Sequence, residues 1–417
     1  MAIFRAISRR SVNLPPDSLI TLINCAYSGE LQVGSALKDF PAEFAKWLDT
    51  DHVFGTSSGR TAFLLALKAL ELEKGAEIIF PAFTFPVIPM VAKMVGYEPV
   101  FCDVDPETFN AGPEHIEPKI TQKTGAVLAT HLFGQPCPIR EVAALAHERK
   151  IRLLEDCAHA CGVRVNGQQV GTFGDIGVFS FAEGKNMPCF GGGAIATSDQ
   201  EIAQRAEQIL KEASLPKKGP IFRLAFDIWL KWLFTRPLVF GMTVYPMLRF
   251  KQILRQPLMD SVMGDDLLQS FMSSNPKVIH LNNLQAAIGL KQIKRIDAFN
   301  QGARKNAEIL TKGLTDVVGV KVPSSTEKNH IYVYYPLKVA PDKRDDLRHY
   351  LLRHRIDSKT TDMADCRTLK TFSSISQEDV SQDSPAAAST LEICVYPVFS
   401  KNEMGKITRV IRAWAEL

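Results

Sequence analysis

From about residue 50 to 212, short apolar runs alternate with stretches whose apolar positions recur every three or four residues. HVFGT (52–56), EIIF (77–80), YEPVFCDVD (97–105), GAVLATHLF (125–133), IRLLEDCAHA (151–160), IGVFSF (176–181) and GGAIATS (192–198) predict strands. Between them TAFLLALKALEL, PVIPMVAKMVG, IREVAALAHERK and EIAQRAEQILKEA predict helices. This alternation predicts an α/β protein with a large, mostly parallel sheet covered by helices on both faces. Ligands of such sheets bind beyond the carboxyl ends of the strands, so those loops are where chemistry is sought. After Val317 the texture changes. GVKVPSSTEKNHIYVYYPLKVA reads as paired strands, DKRDDLRHYLLRHRI as a helix, and LEICVYPV with NEMGKITRVIRAWAEL as a strand and a closing helix. The expected organisation is a large domain over 1–214 and 274–316, an insertion over 215–273, and a small α+β domain over 317–417. SSISQEDVSQDSPAAAS (373–389) reads as a mobile surface loop.

The insertion breaks the alternation. Residues 221–234, IFRLAFDIWLKWLF, are apolar except for Arg223, Asp227 and Lys231, which are spaced by four and form one narrow stripe on a helix. After Pro237 a second run, LVFGMTVYPMLRF (238–250), is apolar up to Arg249. Neither run reaches the ~20 residues that span a bilayer. Charge singles out the same region: residues 216–255 hold eight basic side chains and one acid, a net +7, whereas the whole chain carries +4. Basic-rimmed apolar helices with Trp229 and Trp232 predict a hairpin resting on an anionic membrane surface. The competing reading is an extra helical layer packed on the domain or at a dimer interface.

With 417 residues, 46% hydrophobic and 23% charged, the chain has the composition of a two- or three-domain globular protein. That excludes a disordered chain, a fibre and a polytopic membrane protein. The small net charge gives no footprint for nucleic-acid binding. Eight scattered cysteines without a Cys-x-x-Cys pair read as reduced, mostly buried thiols, with no metal site expected. The opening MAIFRAISRRSVNLPP has no apolar run of the secretory kind; the thiols predict a cytoplasmic protein, and the insertion a peripheral place at the inner face of the membrane.

The strand-end loops carry the candidate chemistry. Ser57, Ser58, Gly59 and Arg60 lie between a strand and a helix, where backbone N–H groups can face a phosphate or simply cap the helix. Phe85 could stack on a flat ring or belong to the core. Glu155 and Asp156 end an apolar strand, and a carboxylate there is costly unless it is paired or caps a helix. Ser180, Lys185 and the Gly191–Gly193 run follow, placing a lysine in a short glycine-flanked connection where it could lose its proton readily. A phosphate cradle, an aromatic face, a buried carboxylate and such a lysine together suit pyridoxal 5'-phosphate: the carboxylate keeps the pyridine nitrogen protonated and the lysine holds the aldehyde.

The quoted segments resemble the DegT/DnrJ/StrS family of pyridoxal-phosphate aminotransferases. The similar text includes SSGRTAFLLAL, FPAFTFP, EPVFCDVDPETFN, THLFGQP, LLEDCAHACG, GTFGDIGVFSF, KN followed by glycines, LNNLQAAIGLKQIKRID and LEICVYPVFSKNEMGKI. The resemblance implies the aspartate-aminotransferase type of fold (fold type I) and a homodimer with its active sites at the subunit interface. By position it implies Lys185 as the Schiff-base lysine and general acid/base, Asp156 at the pyridine nitrogen and Phe85 stacked on the ring. Gly59, Arg60 and Ser180 would hold the phosphate, and His159 would lie beside the ring oxygen. It further implies transfer of an amino group, from glutamate by family habit, to a keto-sugar linked to a nucleotide, in cell-envelope polysaccharide or glycolipid synthesis. Lysine rather than histidine at 185 favours transamination over dehydration. Three departures stand out: Val278, Ile279 and His280 replace the family's Asn-Tyr-Arg, with Asn275 three residues earlier; Gly191 replaces a glutamate; and SKTTDMADC (358–366) replaces a segment that shapes the sugar pocket. The alternatives are a transaminase of a non-sugar or lipid-like carbonyl compound, and a membrane-associated relative without catalysis.

Overall fold

The computed structural model describes residues 4–256, 268, 277–323, 329–373 and 385–417. Asn275, the latter part of the insertion and most of the 373–389 stretch lie outside the described residues, as does the middle of the strand pair expected after Val317. The strands in chain order are β1 (His52–Thr56), β2 (Glu77–Pro81), β3 (Phe83–Thr84), β4 (Glu98–Cys102), β5 (Thr124–Thr130), β6 (Arg152–Asp156), β7 (Arg164–Val165), β8 (Gln168–Gln169), β9 (Ile176–Ser180), β10 (Gly193–Thr197), β11 (Tyr335–Lys338), β12 (Lys359–Thr360), β13 (Ala364–Asp365) and β14 (Thr390–Ile393).

Seven of them form one sheet in the order β1-β10-β9-β6-β5-β2-β4. β4, β2, β5, β6 and β9 run parallel, while β10 is antiparallel to both β9 and β1. The central strand β5 is small or apolar between its two threonines and is buried at six of its seven positions because both its faces are covered, whereas β6 has only Leu153 and Leu154 as apolar residues before its two acids. The Gly59–Leu70 helix is apolar nearly all round for the same reason, and nine of its twelve residues are buried. The reversal at β10 matters for function. It returns the chain through a short loop at the sheet edge where β1, β5, β6 and β9 all end, so Lys185 is placed among those ends.

The second sheet is antiparallel, β11-β14-β12, and packs with the Ile296–Leu314, Pro341–Arg353 and Lys401–Ala415 helices around Leu337, Leu391, Ile407 and Ile411. Of the strand pair expected near 320–338, β11 is present, and Lys321 meets Lys338 as an isolated antiparallel bridge. A two-residue pairing, Ala364 with Thr84 and Asp365 with Phe83, ties the 358–366 segment to the loop that carries Phe85.

The basic-apolar insertion begins as helices Lys218–Phe234, Pro237–Met242 and Val244–Ile253. The first is seated on the large domain. Ile221, Ala225 and Ile228 are buried on one stripe, Trp229 and Trp232 pack against the same core, and Arg236 donates to Val12 O at 3.1 Å. Each buried isoleucine contributes roughly 1.5–3 kcal/mol, enough to hold the helix down. Phe222, Leu224 and Phe226 remain exposed on its other side, and in the third helix Met247, Phe250 and Ile253 are exposed beside Arg249 and Lys251. The helix therefore packs on the body, as the competing reading had it, and still leaves an apolar face outside. Among the described residues no helix is long and apolar enough to cross a membrane. All eight cysteines are free and buried.

Candidate active site

A cavity of about 390 Å³ opens at the carboxyl ends of β1, β5, β6 and β9. Gly59, Arg60, Phe85, Asp156, His159, Ser180 and Lys185, separated by as much as 126 positions, all line it. Each comes from a strand end or the loop that follows, the place expected of ligand groups in such a sheet.

One end presents a helix start and a guanidinium, groups that suit an anion. The Gly59–Leu70 helix starts at the cavity, and Ser58 caps it by accepting the Thr61 N–H at 3.2 Å, so the cap and the anion-facing helix start are the same structure. The turn is pressed against its neighbours. A Cβ on Gly59 would come within 2.6 Å of Ser180 Cβ, and one on Gly193 within 2.6 Å of Ser58 O. Arg60 adds a guanidinium at the rim, where it is exposed.

The two acids that end β6 have different fates. Alternation along the strand sends Glu155 inward, where it accepts N–H groups from Gly171, Phe173 and Gly174 at 2.7–2.8 Å and meets His131 Nε2 at 3.2 Å. His131 Nδ1 accepts the Cys137 N–H, so in the buried group of His131, Glu155 and Cys157 the imidazole and the carboxylate are spent on tying down backbone. Asp156 instead lines the cavity, with Oδ1 accepting the Ala158 N–H at 2.9 Å. Burial raises the Asp156 pKa, and the Ala158 N–H and the charge of Lys185 pull it part of the way back.

Lys185 is enclosed except towards the cavity. Burial lowers its pKa from 10.5 to about 8 against the opposing pull of Asp156, so a substantial fraction is neutral near physiological pH. His159 is buried with Nδ1 accepting the Phe133 N–H at 3.2 Å, which makes it the neutral tautomer with its proton on Nε2. Burial, then the charge of Lys185, hold its pKa well below the usual value.

Two hydroxyls in the wall, Thr84 Oγ1 and Thr130 Oγ1, are buried without a hydrogen-bond partner in the protein. Buried orphans of this kind mark a cavity made for a polar occupant. A helix start with a guanidinium, an aromatic ring, a carboxylate and a readily deprotonated lysine in a space of this size fit pyridoxal phosphate.

Sequence reading missed Arg10, Tyr334, Asp362 and Met363, which also line the cavity. Tyr334 lies inside the segment read as paired strands, just before β11, and donates from its hydroxyl to Gly184 O at 2.9 Å. Asp362 and Met363 lie in the segment marked as divergent, which was the one available signal. Arg10 carried none. The replaced Asn-Tyr-Arg positions are found beside β1: Ser57 N–H donates to Ile279 O at 2.9 Å, and His280 bridges to Thr56.

The chain matches the sequence model of the DegT/DnrJ/EryC1/StrS aminotransferase family over residues 16–222 and 263–414, leaving most of the described insertion unmatched. It is 29% identical to the GDP-perosamine synthase of Escherichia coli O157:H7, over 78% of this chain and 76% of that protein. Over 44% of this chain and 50% of the relative, it is 39% identical to a UDP-N-acetyl-3-dehydro-alpha-D-glucosamine 3-aminotransferase of Acidithiobacillus ferrooxidans. Its fold matches that of Helicobacter pylori PseC, an aminotransferase of pseudoaminic acid biosynthesis, with a TM-score of 0.78 at 16% identity, covering 99% and 100% of the two chains.

Proposed function

Because the chain belongs to the DegT/DnrJ/EryC1/StrS family and is a pyridoxal-phosphate-dependent aminotransferase of fold type I, we propose that it moves an amino group from glutamate to a keto-sugar carried on a nucleotide, for a cell-envelope polysaccharide or glycolipid. The observation that carries this reading is the meeting of Lys185, Asp156 and the phosphate turn in one cavity. The relatives support the sugar: by their names, one makes GDP-perosamine and the other transfers an amino group to a UDP-linked dehydro-sugar. Nothing in those names favours a lipid-like carbonyl substrate or a relative without catalysis.

When bound, the cofactor's ring supplies an electron sink for the bond broken at the donor carbon. The protein's part is positioning and proton movement. Lys185 would hold the cofactor through Nζ and, once free, would serve as the general acid/base that takes up and gives back the donor carbon's proton. Its depressed pKa keeps that nitrogen available near neutral pH. Asp156 would hold a proton on the ring nitrogen, and its enclosed setting would strengthen that pairing. Phe85 would cover the ring face. His159, with its proton on Nε2, would lie beside the ring oxygen. Ser180, Gly59 and Arg60 would hold the phosphate at the helix start.

The homodimer and the contact with an anionic membrane through 217–255 belong to this proposal. The first rests on family membership and the second on the exposed apolar side chains of the insertion beside its basic ones. The chemistry is tested by the absorbance of the purified protein. A visible band that L-glutamate bleaches, that returns when a nucleotide-linked keto-sugar is added, and that is lost or displaced in Lys185→Ala is the expected result. A protein that takes up no pyridoxal phosphate would overturn the reading. A band that bleaches but returns with no nucleotide-linked sugar, and does return with a simple aldehyde or ketone, would move the acceptor to another class.

A further inference from the structure

One wall of the cavity comes from the beginning of the chain. Ile7 lies parallel to Ile356, its N–H donating to Arg355 O at 2.9 Å, while the Asp357 N–H donates to Ile7 O at 2.8 Å. Arg9 forms a two-pronged ion pair with buried Asp357, at 2.7 and 2.8 Å. With the backbone pinned on both sides, the next residue, Arg10, faces the cavity. Its Nη2 donates to Asp362 Oδ2 at 2.5 Å, and the same oxygen receives Lys359 Nζ at 2.6 Å. Lys359 also pairs with buried Glu392 at 3.0 Å, so the cluster balances two cations with two carboxylates.

The Arg10 fork is only partly used. Its Nε is buried and has no hydrogen-bond partner in the protein. The guanidinium also reaches the lysine loop: a Cβ built on Gly184, the residue before Lys185, lies 4.0 Å from Arg10 Nη1. Arg10 and Asp362 are close enough for their charges to act on the Lys185 amine.

A transaminase must place its amino-acid donor with the carbon that loses the amine beside the active lysine. The donor's α-carboxylate is one bond from that carbon, so it must fall near Lys185. The diphosphate of a nucleotide-linked acceptor is several bonds from its reacting carbon and falls elsewhere. Arginine, with a planar fork matched to a carboxylate, is the side chain suited to the first task. We propose that Arg10 binds the carboxylate of the amino donor, with Asp362 holding the guanidinium in register between turnovers. This rests on the transaminase reading and adds a subsite to it.

The test uses holoenzyme of the wild type, Arg10→Gln and Arg10→Lys. L-glutamate is titrated while the visible band is followed, and glutarate, a dicarboxylate with no amine to react, is titrated by calorimetry. Losing a charge-assisted contact predicts that Arg10→Gln raises the half-saturating glutamate and the glutarate dissociation constant together, by roughly 10- to 100-fold. The limiting rate of bleaching changes far less, and Arg10→Lys recovers part of the affinity. A third arm titrates UDP, whose affinity stays the same in Arg10→Gln. Unchanged glutarate binding in Arg10→Gln overturns the proposal, and so does loss of UDP binding with glutarate retained. If Arg10→Gln does not fold, Arg10→Lys carries the test, because a lysine without the fork should still weaken glutarate and not UDP; equal affinity for glutarate would then count against a fork-specific role. A wild-type holoenzyme that no amino acid bleaches would sink the transaminase reading, and glutarate binding would still report on Arg10.

Discussion

Glu155 and Asp156 are neighbours of the same chemical type, and the strand's alternation gives one to the protein and the other to the cavity. The residue pattern alone left both as candidates because the apolar run before them does not say which face is open, and only the family resemblance singled out Asp156. Lys185 was easier to read, since a lysine between two apolar strands has few ways to stay solvated. Its pKa of about 8 has a kinetic consequence, with the sign set by the neutral amine being the nucleophile. Capture of pyridoxal phosphate by the apoprotein, followed by the growth of the visible band, should accelerate as pH rises through about 8 and level off above it. A rate still climbing towards pH 10.5, the value of a solvated lysine, would show that burial does not act on this amine. Arg10 was illegible for a different reason. Nothing within ten residues of it hints at a site, and only its pairing with a segment some 350 positions away turns it inward.

Elements with one clear signal were readable almost to their ends, as the β1 and β9 strands and the Gly59–Leu70 helix show. The Lys218–Phe234 helix was readable as a helix but not in its placement. Its apolar residues surround most of the circumference, so pattern alone could not choose which stripe, Ile221–Ala225–Ile228 or Phe222–Phe226, would face the core. Packing chose the first, and the second remains outside. Beyond it Phe250 and Ile253, 62% and 68% exposed, sit beside Lys251 and Arg249. Flotation of the full-length protein with phosphatidylserine-containing vesicles, and not with phosphatidylcholine vesicles, is therefore expected. The double substitution Phe250→Glu, Ile253→Glu should abolish it without changing the absorbance spectrum. Equal flotation of the variant would remove the membrane role from this face. Point substitutions are preferable to deleting the insertion, since Ile221, Ile228 and Trp232 pack against the core.

At the scale of the molecule, strand–helix alternation was enough to specify a large, mostly parallel sheet, and the change of texture after Val317 a smaller α+β unit, though not that β11 would pair with the distant β14. Alternation was not enough to show that β10 runs against its neighbours, because an antiparallel strand buried on both faces has the same apolar signature as a parallel one. Association is the next level up. Sedimentation or light scattering of the holoenzyme should give twice the 46.3 kDa mass of the chain. A monomer that still transaminates would show that the site is complete within one chain. The molecule's sulfur chemistry offers something of practical use. Because every one of its eight cysteines is buried, its folded surface is silent towards thiol reagents. A single cysteine introduced on the exposed side of the Val244–Ile253 helix would thus be a unique attachment point, and a dye placed there would view the membrane or partner from a known position without any native residue having to be removed.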